Sequence, residues 1–494
     1  MLRRLLKYTM VVLLVIPFSG LFSQIAAADA PYESYTYNFW LEPVKSPSPY
    51  LPISEMNGKA LGAGELNEPS DLFITKDGTI YVVDSKNNRI ISFTEDLEFI
   101  GEIKSFDHGD SFNQPQGIFV TSEGHKYVAD TENQRIVEFD QDNQYVRSIE
   151  RPETHLISDK TGFRPIKVVV DGAGRIFAIA IGVNSGVIEL NPDGSFQGFM
   201  GASEVSVDPL KYLWTRYVAT EEQIKRMKLI IPTEYNNLFL DENEFLYVTL
   251  GNVSKKDQGK DVIRRLNPSG VNVLRDFGYG PPIGDYYMAS AKDITQFRDI
   301  SVTDYQVYSA LDSKDGKIFT YDYDGNLLYV FGSNGNRLGN FMNPVSIGQF
   351  KDKLYVLDNK KNAIITFELT TYGKTVNEAI KAHFEGNYQE SEKKWEEVLA
   401  LNANSDVAYT GLGKVFLRNE ENKQAMEYFK LADNRKYYSK AFSNYRREYL
   451  GENFGAIMTT VLSVIIGILV IKTIFKSRWM FKKVRKEAGN EYLS

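Results

Sequence analysis

A closed ring of six β-blades is the fold class this sequence predicts, and three observations predict it. The residues 78–93 (GTIYVVDSKNNRIISF) recur as 124–139 (GHKYVADTENQRIVEF), 46 positions further on. Pro69, Asp84, Arg89 and Phe93 return as Pro115, Asp130, Arg135 and Phe139 at that one offset, so the period is structural. Fainter copies continue to residue 367, and a period of roughly 40 to 50 residues built from short strands is the pattern of a β-propeller.

Each copy reads as four strands. In the second, Pro115 precedes the apolar run Ile118, Phe119 and Val120, and a turn at Glu123-Gly124 leads to the strand Tyr127 to Asp130. A polar turn, an alternating strand with Ile136, Val137 and Phe139, and a fourth strand at 145–149 complete the unit. Short runs of β-formers bounded by Gly, Asn and Asp have this appearance. The recurring Asp and Arg are expected to hold the turn between the second and third strands, because polar residues repeated in every blade do not make one unique active site.

Blade three is expected at Pro165, Asp171-Gly172 and 175–181; blade four at Pro232, 238–240, 246–249 and 262–266. Blade five follows at 299–302, 307–310 and 317–321, and blade six at Asn343-Pro344, 354–358 and 363–367. The last copy has three convincing strands, while a β-rich stretch at 35–41 precedes the first. An unpaired sheet edge is a liability, so the N-terminal segment 29–60 is expected to close the ring of 61–372, with 35–41 as the closing strand.

This blade pattern, with its Pro, Gly turn, Tyr-Val-x-Asp, Asn-x-Arg and Phe, resembles the NHL repeat over residues 60–370, strongly in blades one, two and six. The resemblance implies a six-bladed, mainly-β propeller. NHL propellers are mostly binding platforms, although some relatives are lyases or lactonases, so the fold alone leaves the activity open.

The chain ends define its expected location. Residues 1–28 join a basic start (Arg3, Arg4, Lys7) to an apolar stretch at 8–18 and the small residues Ala26-Ala27-Ala28, as in a secretory signal peptide cut after Ala28. Residues 454–471 carry no charge and are about long enough to span a bilayer within a 454–474 helix. The tail that follows holds Lys472, Lys476, Arg478, Lys482, Lys483, Arg485 and Lys486 against Glu487 and Glu491. A basic flank of this kind, through 475–494, stays cytoplasmic. The expected localisation is therefore a cell membrane crossed once, with the N-terminal domains outside.

Removing the basic leader and the tail from a whole-chain charge of -7 leaves an exterior of about -15. Nucleic acid is an unlikely ligand for such a surface, since phosphate binding needs a basic one. The chain has no cysteine, which excludes disulfides and thiolate metal sites and suits a bacterial envelope, notably a Gram-positive surface.

From residue 373 to 450 the period becomes helical. Ser391, Trp395 and Val398 return 34 residues later as Ala425, Phe429 and Ala432. This resembles tetratricopeptide repeats, in which small residues sit where helices cross and aromatics fill the gap beside them. The resemblance is partial, and implies either a rigid stalk or a docking surface for another envelope protein.

Chemistry is sparse. His108 and His155 fall on consecutive blade-to-blade connections, and His residues near the channel carry catalysis or metal in NHL-type lyases. An aromatic-rich insert spans 201–231, with Trp214 and Tyr217, and the next connection carries Tyr286 and Tyr287. Long loops of this kind serve binding, and their aromatics suit a sugar ring or an extended peptide. The expected function is thus recognition or scaffolding of a protein or carbohydrate ligand, with an accessory role beside a transporter or envelope complex as one form of it, and with no catalytic residue and no cofactor assigned. The alternative is a gluconolactonase- or lyase-type enzyme, which would require a divalent metal in the propeller channel.

Overall fold

The computed structural model describes residues 30–154, 157, 162–201, 235–251, 261–286 and 294–491. The leader at 1–28 and the aromatic insert beyond Gly201 lie outside the described residues. The chain forms two compact units, Met1–Glu378 and Ala379–Ser494.

The first unit is a six-bladed β-propeller. Blade one orders its strands as Asp71–Ile74, Ile80–Asp84, Arg89–Phe93 and Phe99–Ile103, and blade two as Gly117–Val120, Lys126–Asp130, Arg135–Phe139 and Tyr145–Ile149. Blade three runs Pro165–Val170, Ile176–Ala180, Val187–Leu190 and Phe196–Met200; blade five runs Phe297–Val302, Tyr308–Asp312, Lys317–Tyr321 and Leu327–Phe331. Blade four has three described strands, Tyr235–Leu240, Leu246–Leu250 and Ile263–Leu266, followed by a bridge from Leu266 to Asn272. The first strand of each blade touches that of the next, and blade six returns to blade one, so these strands line the axis of a closed ring.

Ring closure differs from expectation in its strand. Blade six, Pro344–Phe350, Lys353–Asp358 and Ala363–Leu369, is completed by Tyr50–Asn57, paired antiparallel from Leu369↔Tyr50 to Ala363↔Asn57. Tyr35–Tyr37 instead pairs with Pro43–Lys45 and meets the outer strand of blade five at Tyr35↔Val330. The sequence misled because Pro52 sits inside the true closing strand. An outermost strand tolerates proline, since its outer side needs no donor, and the register shifts beside Pro52, between Thr366 and Phe367. Tyr50 anchors the closure, with a buried ring stacked on Phe331 at 4.9 Å.

The core lies between blades. Ile80, Val82, Ile91 and Phe93 pack with Val345, Tyr355 and Ile364 of blade six, while Val83 and Ile90 face Ile118, Val128 and Val137 of blade two. Both faces of the second and third strands of blade one are therefore covered. That arrangement explains near-continuous apolar runs such as Ile80–Asp84 in place of strict alternation.

The repeated Asp is structural. Asp84 accepts from Asn67 N at 2.8 Å, Asn87 Nδ2 at 2.8 Å and Arg89 Nε at 2.8 Å. Asp130 accepts the equivalent bonds from Asn113 N, Asn133 and Arg135 at 2.7, 2.9 and 2.9 Å. Each carboxylate fastens the incoming connection to the turn between the second and third strands, and both are fully buried.

The polypeptide then turns helical through α1 (Thr371–Phe384), α2 (Tyr388–Leu401), α3 (Asp406–Arg418), α4 (Asn422–Leu431), α5 (Arg435–Glu452) and α6 (Phe454–Glu491). Asn387, Ser405 and Asn434 cap α2, α3 and α5 by accepting from backbone N–H groups. Glycine permits the close crossings: a Cβ at Gly411 would stand 2.3 Å from the Trp395 ring, and one at Gly413 2.6 Å from Phe429. All six residues of the 34-residue repeat, Ser391, Trp395, Val398, Ala425, Phe429 and Ala432, are buried. In α6, the segment Phe454–Lys483 contains an 18-residue stretch of mean hydropathy 2.6 with none of it buried, which makes the helix long and apolar enough to cross a membrane.

Candidate functional site in the propeller channel

Superposing the blades by strand register places one residue of each first strand on a common rung. Asp71 faces Val83, Gly117 faces Ala129, Lys167 faces Ile179, Asn237 faces Thr249, Asp299 faces Leu311 and Ser346 faces Leu357. The blades repeat their backbone at this rung but not their chemistry, so a unique arrangement arises from a repetitive scaffold.

Asp71, Ser346 and Asp299 come from the contiguous blades one, six and five. The Ser346 hydroxyl lies within hydrogen-bonding reach of both carboxylates, at 3.1 Å from Asp71 Oδ1 and close against Asp299 Oδ2. Backbone N–H groups complete the cradle: Ile118 donates to Asp71 Oδ2 at 3.1 Å and Ile347 to Asp299 Oδ2 at 2.8 Å. Lys167 arrives from blade three, on the opposite side of the ring. Its ammonium donates to Asp71 Oδ1 at 2.6 Å and stands 3.7 Å from Asp299 Oδ1. Gly117 fits beside it because a Cβ there would lie 2.5 Å from the Ile166 carbonyl oxygen.

The electrostatics follow from burial and pairing. Burial opposes the charge on Lys167, but the carboxylates of Asp299 and Asp71 outweigh it and hold the ammonium pKa above its ordinary value. Asp299 moves upward, chiefly by burial; the Lys167 charge pulls it down, the Asp71 charge pushes it up, and bonds from Ser346 and Ile347 N lower it. A general base works best with a pKa near the operating pH. The shift on Lys167 runs the other way, so the ammonium serves as a fixed cation across the channel. Asn237 shares the rung and is fully buried, with neither amide atom hydrogen-bonded among the described residues.

A divalent ion fits this rung poorly. Asp71, Asn237 and Asp299 are hard oxygen donors of the type such an ion takes, but the Lys167 ammonium occupies the space between the two carboxylates. Among the described residues, no group of three or more His, Asp or Glu is placed to hold a metal.

Of the loop residues marked out by sequence, Tyr286 is described. Its ring packs edge-on to Tyr37 at 4.8 Å and its hydroxyl donates to the Pro281 carbonyl at 2.6 Å. The adjoining Asp285 accepts from the hydroxyls of Tyr35 and Tyr37 and pairs with Lys317 at 2.6 Å. The N-terminal hairpin thus fastens this connection to blade five. His108 belongs to a short turn, Asp107–Gly109, in the connection from blade one to blade two. The His108 side chain and all of His155, Trp214, Tyr217 and Tyr287 lie outside the described residues, so Tyr286 is the one side chain of the six that is described. The rung was missed although it had a signal. Two positions after the blade-opening prolines 69, 115, 165 and 344 stand Asp71, Gly117, Lys167 and Ser346, a variable and partly charged position inside apolar strands.

Residues 70–159, covering blades one and two, match the family profile of the SMP-30/gluconolactonase/LRE-like region. No match was found among curated proteins. Among solved structures, the chain is similar to a catalytically inactive virginiamycin B lyase from Staphylococcus aureus with quinupristin, at 13% identity over 63% of this chain and 83% of that one, with a TM-score of 0.39. It is also similar to a protein described as a putative gluconolactonase, at 13% identity over 68% and 98% of the two chains, with a TM-score of 0.39. A Bacteroides thetaiotaomicron protein of unknown function aligns at 11% identity over 69% and 76%, with a TM-score of 0.41.

Proposed function

We propose that this chain is a membrane-anchored, non-catalytic recognition scaffold, in which the propeller and the tetratricopeptide-like helices present binding surfaces outside the cell and α6 holds them at the membrane. The observation that carries this reading is Lys167 between Asp71 and Asp299. It fills the channel position where a propeller hydrolase would gather donors for a metal or a base. The uncharged α6 window and the basic residues after it support the single span with a cytoplasmic tail. The acidic exterior and the connections between blades favour a protein or carbohydrate ligand.

A second reading, a lactonase-type enzyme, is favoured by the family match over residues 70–159 and by Asp71, Asn237 and Asp299 sharing one rung. Turnover separates the two. The full chain in lipid nanodiscs is incubated with a panel of aldono- and aryl lactones beside its Asp299→Asn variant. Equal rates at the buffer background support the scaffold, and hydrolysis lost in the variant supports the enzyme.

A further inference from the structure

Blade five departs from blades one and two in the charge that serves its turn. In those two blades the buried Asp stands opposite an Arg across the second and third strands, Asp84↔Arg89 and Asp130↔Arg135, joined by Nε–Oδ2 bonds of 2.8 and 2.9 Å. Blade five keeps the register, Asp312↔Lys317, but among the described residues Asp312 has no ion pair. Its donors are backbone groups, Gln296 N and Lys314 N at 3.0 Å and Asp315 N at 3.3 Å. Lys317 pairs at 2.6 Å with Asp285, in the connection that enters blade five. Its reach covers both carboxylates, because an Arg meets the turn Asp through Nε and the Lys ammonium lies one atom further along its stem.

At Asp285 the lysine closes a clamp on the N-terminal hairpin. Asp285 also accepts from the Tyr35 and Tyr37 hydroxyls, and the Lys317 ammonium donates to Tyr35 Oη at 3.1 Å and lies 5.3 Å from the centre of that ring. The direct attachment of the hairpin to the outer strand of blade five is slight: one register pair, Tyr35↔Val330, and a bond from the Thr36 hydroxyl to the Leu327 carbonyl at 3.3 Å. Separate anchors bound it. Tyr32 and Tyr50 are buried, the Tyr32 hydroxyl donates to the Tyr50 carbonyl at 2.8 Å, and both rings pack on Phe331. Residues 33–47 can therefore lift while Tyr50–Asn57 still closes the ring.

We propose that residues 33–47 form a strap that Lys317 fastens or releases according to which carboxylate holds it, Asp285 with the strap docked and Asp312 with the strap lifted. One ammonium cannot serve both sites, so the charge on Asp312 sets the balance. Burial pushes Asp312 up to about 6, Asp315 pushes the same way, and the bonds from Gln296, Lys314 and Asp315 N pull it down. The Lys314 ammonium is engaged on the Ile294 carbonyl at 3.2 Å. In mild acid Asp312 is neutral and does not compete for the lysine, so the strap holds. As pH rises through about 6, ionised Asp312 draws Lys317 back and the strap loosens. The docked state has the higher Asp312 pKa, binds the extra proton and is favoured by acid. With Asp312 returned to an ordinary carboxylate pKa in the lifted state, the docking equilibrium shifts about tenfold between pH 5 and pH 8. The exchange bears on the channel. Asp285 N donates to Thr295 Oγ1 at 3.0 Å and Gln296 N to Asp312, and these residues lead into Phe297–Val302, the strand that carries Asp299.

The chain has no cysteine, so single introduced ones report opening of the strap. Thr36→Cys is on its covered side, at a residue 4% exposed, Trp40→Cys on its open tip, and Ile91→Cys inside blade one. Each is made in the full chain in nanodiscs and its rate with dithiodipyridine is followed from pH 5 to pH 8, Trp40→Cys correcting for the pH dependence of the reagent. Protection of Thr36→Cys should be about tenfold greater at pH 5 than at pH 8, with Ile91→Cys more strongly protected at both. Adding Asp312→Asn should hold protection at the acid level throughout, and adding Lys317→Met should lower it at both pH values and remove the slope. Equal protection at pH 5 and pH 8, or an unchanged slope in Asp312→Asn, overturns the proposal, as does a Thr36→Cys rate equal to that of Ile91→Cys, which would make the opening global. Fast labelling of Ile91→Cys in Asp312→Asn marks that variant as unfolded; Lys317→Met then decides, and a retained slope in it overturns the proposal.

Discussion

Replacing Lys167 by Met keeps much of the side-chain length and removes the charge, leaving Asp71 and Asp299 facing one another across Ser346. Both carboxylates are almost fully buried, at 2% and 4% exposure, so solvent does little to screen them. Removing one partner from a buried ion pair costs about 3–5 kcal/mol, against roughly 0–1 kcal/mol for an exposed pair. The loss should depend on pH in a defined direction. In the native chain the pKa of Lys167 is raised on folding, so its contribution is complete below the ordinary lysine value and fades as pH rises through the folded value. In the variant the cation that lowers Asp299 is gone, so that carboxyl titrates higher still. The folded state then binds more protons than the unfolded chain in mild acid, and the deficit shrinks as pH falls. Denaturant unfolding of the full chain in nanodiscs, followed by the β-sheet circular dichroism band at neutral and mildly acidic pH, measures both effects. Adding Asp71→Asn and Asp299→Asn should recover most of the loss. A change under about 1 kcal/mol that is the same at both pH values would refute the pairing.

Three further outcomes follow from the packing. Tyr50→Ala should destabilise the propeller by about 3–5 kcal/mol, because Tyr50 is buried against Phe331 in the closing strand, whereas Trp40→Ala, at a residue 66% exposed on the N-terminal hairpin, should change stability by about 0.5 kcal/mol or less; thermal melts of the two variants decide. Asp312 occupies the repeated Asp position of blade five, but Lys317, where blades one and two have arginine, reaches Asp285 instead, and burial pushes Asp312 up to about 6. Its folded pKa lies above the unfolded one, so ionised Asp312 weighs against folding by up to about 3 kcal/mol, and stability should rise as pH falls from about 6 towards 4. Asp312→Asn keeps an acceptor for the N–H groups of Gln296 and Lys314 and should flatten that slope without lowering stability at neutral pH. Gly411→Ala should cost about 1–3 kcal/mol by overpacking, read as early melting of the helical signal with a shift in Trp395 fluorescence.

The ring was legible because a repeat states its own period: four residues returning at one offset fixed the blades, and the buried Asp84 and Asp130 carried the structural role assigned to them. The closing strand was not legible, since residues 35–41 look more β-like than 50–57, and pairing with the last blade, which no local propensity encodes, selected the latter. The channel rung escaped for a related reason. Asp71, Lys167 and Asp299 are far apart in sequence and ordinary in composition, and ring closure alone makes them neighbours. Attention to recurring polar residues pointed at the turns, whereas a unique site in a repetitive fold lies where the repeat varies.

The most direct test of the account is a metal count on the closed channel. The full chain in nanodiscs is equilibrated with calcium, magnesium, manganese or zinc, dialysed against buffer, and analysed for bound metal beside Lys167→Met, Asp71→Asn and Asp299→Asn. With the Lys167 ammonium seated between the two carboxylates, the native chain should retain no stoichiometric ion, and Lys167→Met should gain one. One equivalent retained by the native chain and lost in Asp71→Asn or Asp299→Asn would contradict the scaffold reading and return the channel to catalysis.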